Sequence, residues 1–264
     1  MKNRLIGGCV VGLITLLALF AGGLISAIIL TIVSLVGVNE ILKVYSLDKS
    51  PFAVFSFIAT VIWYIFIYFN KTQFLLPTII VFLLLILAVY VCTFPKYKDI
   101  DMMRAFFAFV YVAVLLSFVL RIRAMEAGLL LAFFVLISSW INDICAYFVG
   151  SAIGKHKFSP KVSPNKSVEG FVGGVVGAGV IGWLYGFVFA KYIPFSSIYC
   201  GIIAALGAIP AVIGDLAASA VKRDNNIKDY SNLIPGHGGI VDRIDSILFT
   251  APIIYYLVEL FNIL

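Results

Sequence analysis

The stretch Phe74-Leu-Leu-Pro-Thr-Ile-Ile-Val-Phe-Leu-Leu-Leu-Ile-Leu-Ala-Val-Tyr-Val-Cys-Thr-Phe94 contains no charged side chain. Coiled as a helix at about 1.5 Å per residue, it reaches about 30 Å, the thickness of a bilayer's hydrocarbon core. Working outward, comparable apolar runs occupy 5–20, 21–36, 52–69, 104–120, 127–150, 168–190, 198–218 and 244–262. The pattern predicts an all-α polytopic integral membrane protein of about nine transmembrane helices. Ala21-Gly22-Gly23 is the only break between the first two runs, and both a tight helical hairpin and one long bent helix fit it. Lys2 and Arg4 precede the first run as they would in a signal peptide. No small-residue cleavage site followed by a soluble domain appears, so that run is expected to be retained.

Composition agrees. Of 264 residues, 62% are hydrophobic and 12% charged, and the mean hydropathy is +1.11. A soluble domain carries about 25% charged residues, so water could not cover this chain. A secreted disulfide scaffold, a disordered chain and an ordinary cytosolic enzyme are excluded. Cys9, Cys92, Cys145 and Cys200 sit in apolar stretches at unrelated spacings and read as small apolar residues. The net charge of +6 does not imply nucleic acid, because basic residues in a membrane protein mark cytoplasmic loops and anionic head groups.

Loop charge sets the expected orientation. With nine spans, one set of loops receives only Lys71, Arg121, Arg123 and Lys191, and the other receives the remaining 15 of the 19 basic residues. This places the N-terminus in the cytoplasm and the C-terminus outside. The two longest loops, 151–167 and 219–243, fall on the cytoplasmic side. The N-terminal loops are short and hold no cluster of potential ligands. We therefore expect a single membrane domain, 1–264, with a helical scaffold over 1–125 and catalytic helices with cytoplasmic loops over 126–264.

Charges inside spans are costly and normally face a cavity or a partner. Asp143 lies in the sixth run, Asp215 near the cytoplasmic end of the eighth, and Asp242 and Asp245 open the ninth. Spacings of three and four put Asp242 with Asp245 on one helix face, and likewise Asp215, Ser219 and Lys222. Asp143, Tyr147, Gly150 and Gly154 repeat the pattern. Three polar stripes at the cytoplasmic ends of the C-terminal helices would line a funnel able to hold a divalent cation. A helix cap would explain Asp242 alone, and a structural hydrogen bond would explain Asp143.

Just before the seventh run stands Ser163-Pro164-Asn165-Lys166-Ser167-Val168-Glu169-Gly170. Ser167 is expected to cap that helix, with Glu169 in its first turn. Lys166 beside the helix start, with Lys155, Lys157 and Lys161, would make a basic mouth for phosphates. Gly170, Gly174, Gly177, Gly182 and Gly186 predict close helix packing. No GxxxxGK[ST], GxGxxG or Ser/His/Asp arrangement is present.

Ser219-Ala-Val-Lys222-Arg223-Asp-Asn-Asn-Ile-Lys228-Asp229-Tyr-Ser231-Asn-Leu-Ile234-Pro235-Gly-His237-Gly238-Gly239-Ile240-Val-Asp242-Arg243-Ile244-Asp245 resembles the signature S-x-x-K-R-x4-K-D-x-S-x2-I-P-x-H-G-G-x-x-D-R-x-D of the phosphatidate cytidylyltransferase family. Every fixed position is matched. Upstream, Asp143-Ile-Cys-Ala146-Tyr147-Phe-Val-Gly150 resembles D-x-x-A-Y-x-x-G. The segment 163–170 resembles S-P-x-K-[TS]-x-E-G, with Val168 where Trp is frequent. The likeness covers about 140–246.

The resemblance implies an integral inner-membrane enzyme that makes CDP-diacylglycerol and pyrophosphate from CTP and phosphatidate with Mg²⁺, its active site facing the cytoplasm. It implies metal binding by Asp215, Asp242 and Asp245, as one or two ions with room for a monovalent cation. Lys222, Arg223 and Lys166 would neutralise phosphate, and Ser163 and Asn165 would reach the nucleotide. Asp143 would be a further ligand or orient one, and His237, Gly238 and Gly239 would shape a loop over the site. The partners implied are CTP, phosphatidate and membrane lipids, with no nucleic acid; the glycine faces allow a homodimer. A sister activity on another lipid or isoprenoid-type phosphate is the nearest alternative. The D-G-x2-A-R-x8-G-x3-D-x3-D run of CDP-alcohol phosphotransferases is absent. An anion transporter is disfavoured, because the carboxylates cluster at one face and the Asp-bearing segments do not repeat.

Overall fold

A computed structural model describes residues 2–234 and 236–263, without the side chains of 2–6, 9, 10, 262 and 263. Pro235 and the side chains of Lys2, Arg4 and Cys9, singled out above, lie outside the described residues. The described chain forms nine long helices: α1 Lys2–Ala21, α2 Gly23–Val44, α3 Pro51–Tyr68, α4 Leu75–Thr93, α5 Asp99–Arg123, α6 Gly128–Ile153, α7 Val168–Val188, α8 Ser197–Asp224 and α9 Val241–Ile263. Eight of them, α2 to α9, are long and apolar enough to cross a membrane. In α1 the described apolar portion is Val11–Ala21. The protein is an all-α multi-pass membrane protein.

Local chemistry explains the boundaries. Gly22 and Gly23 both have positive φ, a conformation that breaks the helix and that glycine adopts at little cost. Ser26 Oγ donates to the Ala18 carbonyl across the break at 2.6 Å. Gly8 of α1 faces His237, and Glu40 of α2 binds Ile240 and Val241, so the chain returns to the same segment. The first two runs thus form a hairpin. Ser50 and Pro51 start α3, the proline at a position whose N–H has no helical partner anyway. The α7 cap is as expected, with Gly170 N donating to Ser167 Oγ at 3.1 Å.

The chain divides into two compact units, 1–120 with 229–243, and 121–228 with 244–264. In the first, polar side chains bridge helices where lipid offers no hydrogen-bonding competitor. Trp63 Nε1 donates to Ser117 Oγ at 2.9 Å, and Ser34 Oγ and Tyr64 Oη lie 2.8 Å apart. Phe82 packs against Phe106 and Phe109, and Phe109 against Trp63.

In the second unit, glycine sets the spacing. A side chain at Gly170 would stand 2.8 Å from the Ala146 carbonyl of α6, and one at Gly177 would reach Cys145 Sγ at 2.5 Å. On the α8 side, Gly182 faces Ala204 and Cys200, and Gly186 lies against Cys200. The glycine face of α7 is therefore used for packing within the chain, and Cys145 and Cys200 act there as small apolar residues. Between α6 and α7 the structure adds an antiparallel hairpin, β1 Lys157–Ser159 and β2 Ser163–Ser167.

Candidate active site

The second unit gathers most of the expected polar residues. Gly214 lets α9 approach α8, since a Cβ there would stand 2.6 Å from the Asp245 carbonyl oxygen. This contact brings Asp215, the next residue, toward Asp245. Gly174 does the same for α6 and α7, where an added Cβ would meet the Asn142 carbonyl at 2.9 Å. Asp143 follows Asn142, directly after a π-helical turn at Ile137–Ile141 that shifts the register of α6.

Asp143 and Asp245 each experience the charge of Asp215, and Asp245 that of Asp143 as well. Lys166 offsets this field at Asp143, and Lys222 offsets it at Asp245. The Lys166 ammonium forms an ion pair with the Asp215 carboxylate. Ser219 Oγ donates to Asp215 Oδ1 at 3.4 Å, so the expected α8 stripe holds to the end of that helix. Asp245 Oδ1 accepts from Ser246 N at 2.7 Å. Three carboxylates and two lysines thus share one electrostatic neighbourhood.

Beside them opens a cavity of about 550 Å³, lined by Asp143, Tyr147 and Gly150 of α6 and by Gly170 and Phe171 of α7. The hairpin contributes Lys157, Phe158, Ser163, Asn165 and Lys166, and α8 contributes Val212. The wall is cationic and hydroxyl-bearing on the hairpin side and carries a carboxylate on the α6 side. A polyanion entering between them would meet ammonium groups and donors along one edge.

A cytidylyltransferase family model matches residues 2–261. The chain belongs to that family. Among its relatives, the phosphatidate cytidylyltransferase of Bacillus subtilis is 41% identical over 156 residues, covering 59% of this chain and 57% of the relative. The Thermotoga maritima phosphatidate cytidylyltransferase is 40% identical over 159 residues, 56% of each. The Haemophilus influenzae phosphatidate cytidylyltransferase is 37% identical over 178 residues, covering 63% of this chain and 62% of the relative. The matched segments thus span somewhat over half the length of these relatives.

The 229–243 part of this cytidylyltransferase-family signature lies in the first unit. Asp242 is 7% exposed, and its Oδ2 accepts from Tyr230 N and Gly239 N, each at 2.9 Å. The Asp242 carboxylate is thereby engaged with the backbone of the loop that precedes α9. Gly238 has φ +79°, and a Cβ there would lie 2.7 Å from Asp242 Oδ2; only glycine suits both demands. His237 sits at the tip of a tight turn closed by Ile234 N to the Gly238 carbonyl at 2.9 Å, and its ring lies against α1 at Gly8. Arg223 is exposed at the end of α8, and Lys222 is half-buried.

Two features escape the sequence pattern. Glu169 does more than open α7: its carboxylate accepts from Lys155 N at 3.1 Å and from His156 N at 3.2 Å, and it meets His156 Nδ1 at 2.6 Å. Since a carboxylate only accepts, His156 Nδ1 carries the proton. These bonds tie the base of the hairpin to the helix start. Glu40, in the N-terminal half, is a buried carboxylate that binds the signature loop. Among the described residues, no three Asp, Glu, His or Cys groups converge tightly enough to hold a metal ion by themselves.

Proposed function

We propose that this protein is a CTP:phosphatidate cytidylyltransferase of the inner membrane, with its N-terminus and cavity facing the cytoplasm and its C-terminus outside. The observation that carries the reading is the cationic cavity beside three interacting carboxylates, in a family whose relatives bear that enzyme name. The 15-to-4 partition of basic residues between alternate loops supports the orientation.

In the proposed step, an oxygen of the lipid phosphate attacks the α-phosphorus of CTP. One P–O bond forms, the bond from the α-phosphorus to the bridging oxygen breaks, and pyrophosphate leaves with the electron pair. Such a transfer needs alignment and charge neutralisation rather than a protein nucleophile. Lys166, Ser163 and Asn165 would bind the triphosphate from the hairpin, and Lys222 and Arg223 would add cations from α8. Lys166 would exchange its carboxylate partner for a phosphate as the nucleotide enters.

Mg²⁺ suits the donor set, because it takes one or two carboxylates and completes its shell with water and phosphate oxygens. The ammonium already resting on Asp215 supports a cation there. Asp215 and Asp245 would hold it, with Asp143 as a further ligand, and when bound it would neutralise charge on the approaching phosphates.

The test uses purified protein in detergent with CTP, phosphatidate and Mg²⁺, following pyrophosphate and CDP-lipid together. Equal amounts of both are expected, and EDTA should abolish both. If neither appears with any of several lipid phosphates while CTP still binds, the assignment of substrate is wrong.

The hairpin provides a separate prediction. Glu169→Gln should loosen the 155–156 attachment and raise the KM for CTP about two- to fivefold, the scale of an exposed charge pair. A KM unchanged from wild type would show that the hairpin holds its position without Glu169.

A further inference from the structure

Glu40 lies near the end of α2 and is 2% exposed. Its neighbours Ile41 and Leu42 are fully enclosed. A carboxylate buried in an apolar helix is costly unless its oxygens are hydrogen-bonded, and here both are. Oε1 accepts from Ser231 Oγ at 2.6 Å and from Ile240 N at 3.0 Å, and Oε2 accepts from Val241 N at 2.9 Å. Ser231 Oγ in turn accepts from Leu233 N at 3.2 Å. The loop makes room for the carboxylate, since a Cβ at Gly239 would stand 2.6 Å from either oxygen.

The two N–H groups are among those a helix leaves unpaired at its start, so a distant helix supplies the cap and meets the positive end of the α9 dipole. Asp242 binds Tyr230 N and Gly239 N of the same loop. Four backbone N–H groups of the 229–241 segment are therefore held by two buried carboxylates. One belongs to the signature and the other does not.

We propose that Glu40 is a positioning residue for the reaction, fixing the 229–241 segment and the first turn of α9. The inference rests on the function proposed above. α9 is helical from Val241 onward, so a shift of its first turn carries Asp242, Arg243 and Asp245 with it. Glu40 touches no substrate in this role; it sets where those side chains stand.

Glu40→Gln and Ser231→Ala, made in the full-length protein, separate positioning from mere support of the fold. In Glu40→Gln an amide NH₂ must face a backbone N–H, so one charge-assisted bond is replaced by a repulsive contact. The expected result is a fall in kcat of about tenfold or more, the equivalent of one such bond. The Mg²⁺ concentration for half-maximal rate should rise severalfold, read well below the variant's thermal midpoint so that the protein is folded throughout. Ser231→Ala should shift both in the same direction by a smaller factor, and it serves if Glu40→Gln does not fold. Amide exchange should quicken across 229–241 and stay unchanged in α6 to α8.

Rate and Mg²⁺ dependence both like wild type would overturn the proposal. So would a rate that falls only in proportion to the unfolded fraction with the Mg²⁺ dependence unmoved. If wild type makes no CDP-lipid, the proposed function fails on its own, and exchange still decides the role of Glu40. Faster exchange confined to 229–241 would support it, and unchanged exchange would overturn it.

Discussion

Asp215→Asn is expected to form CDP-lipid about 10²- to 10³-fold more slowly than wild type, the usual scale for removing one fixed charge from a charge-stabilising site. The residue stands where the fields of Asp143 and Asp245 meet, and it holds the Lys166 ammonium. The amide keeps the shape and still accepts from Ser219, so the helix should be undisturbed. What disappears is the negative charge that orders Lys166 and would draw a cation to the phosphates. The loss should therefore fall mainly on kcat and on Mg²⁺ dependence, read by initial rates over a matrix of CTP and Mg²⁺ concentrations. Ser219→Ala, which removes only a 3.4 Å hydrogen bond, should change the rate by about twofold at most. A wild-type kcat in Asp215→Asn would remove this carboxylate from the reaction and leave Asp143 and Asp245 as the candidates.

The largest effect on stability is expected at Gly182. A Cβ there would clash with Ala204 and come within 2.9 Å of the Cys200 carbonyl oxygen. The second contact is with backbone, so no rotamer change can relieve it. Gly182→Leu must push α7 from α8, forfeiting packing along a face that also carries Gly179 and Gly186. Overpacking a filled interior costs about 1–3 kcal/mol when side chains can adjust, and more is expected where a helix backbone must move. Recovery of monodisperse protein from detergent, together with the thermal midpoint, measures it. Gly12 is the control, because a Cβ there meets nothing within 4 Å. Gly12→Ala should be neutral or stabilising by about 0.5–1 kcal/mol through helix propensity. If Gly182→Leu behaves like Gly12→Ala, the close α7–α8 approach is not what holds this unit together.

Much of this architecture is legible in one dimension. Uninterrupted apolar runs announce the spans, because a bilayer tolerates little else. The Ser167 cap, the α8 stripe from Asp215 to Lys222 and the packing face of α7 all follow from spacings of three and four on a helix. The hairpin at 157–167 was not legible. Its strands are three and five residues long and only Ser167 in them is buried, so they leave no apolar alternation to read. The break at Ala21-Gly22-Gly23 left both a hairpin and a bent helix open until Gly8 and Glu40 were seen to reach one segment.

Among the polar residues, chain-local information identified the types and tertiary structure assigned the company. Asp143 was as open to a structural hydrogen bond as to a site role, yet it shares a field with Asp215 and Asp245. Asp242 looked like part of a ligand set, and its Oδ2 is taken up by two backbone N–H groups of its loop. Glu40 lay in a half of the chain whose loops offered no ligand cluster, and its partners are 191 to 201 residues away. Hydropathy and helical spacing are local quantities, so sequence alone established the membrane class and the helices. Which carboxylate meets a lysine, and which meets a backbone amide, depends on helices brought together by glycine contacts and a returning loop. Only the packed structure could distribute those roles.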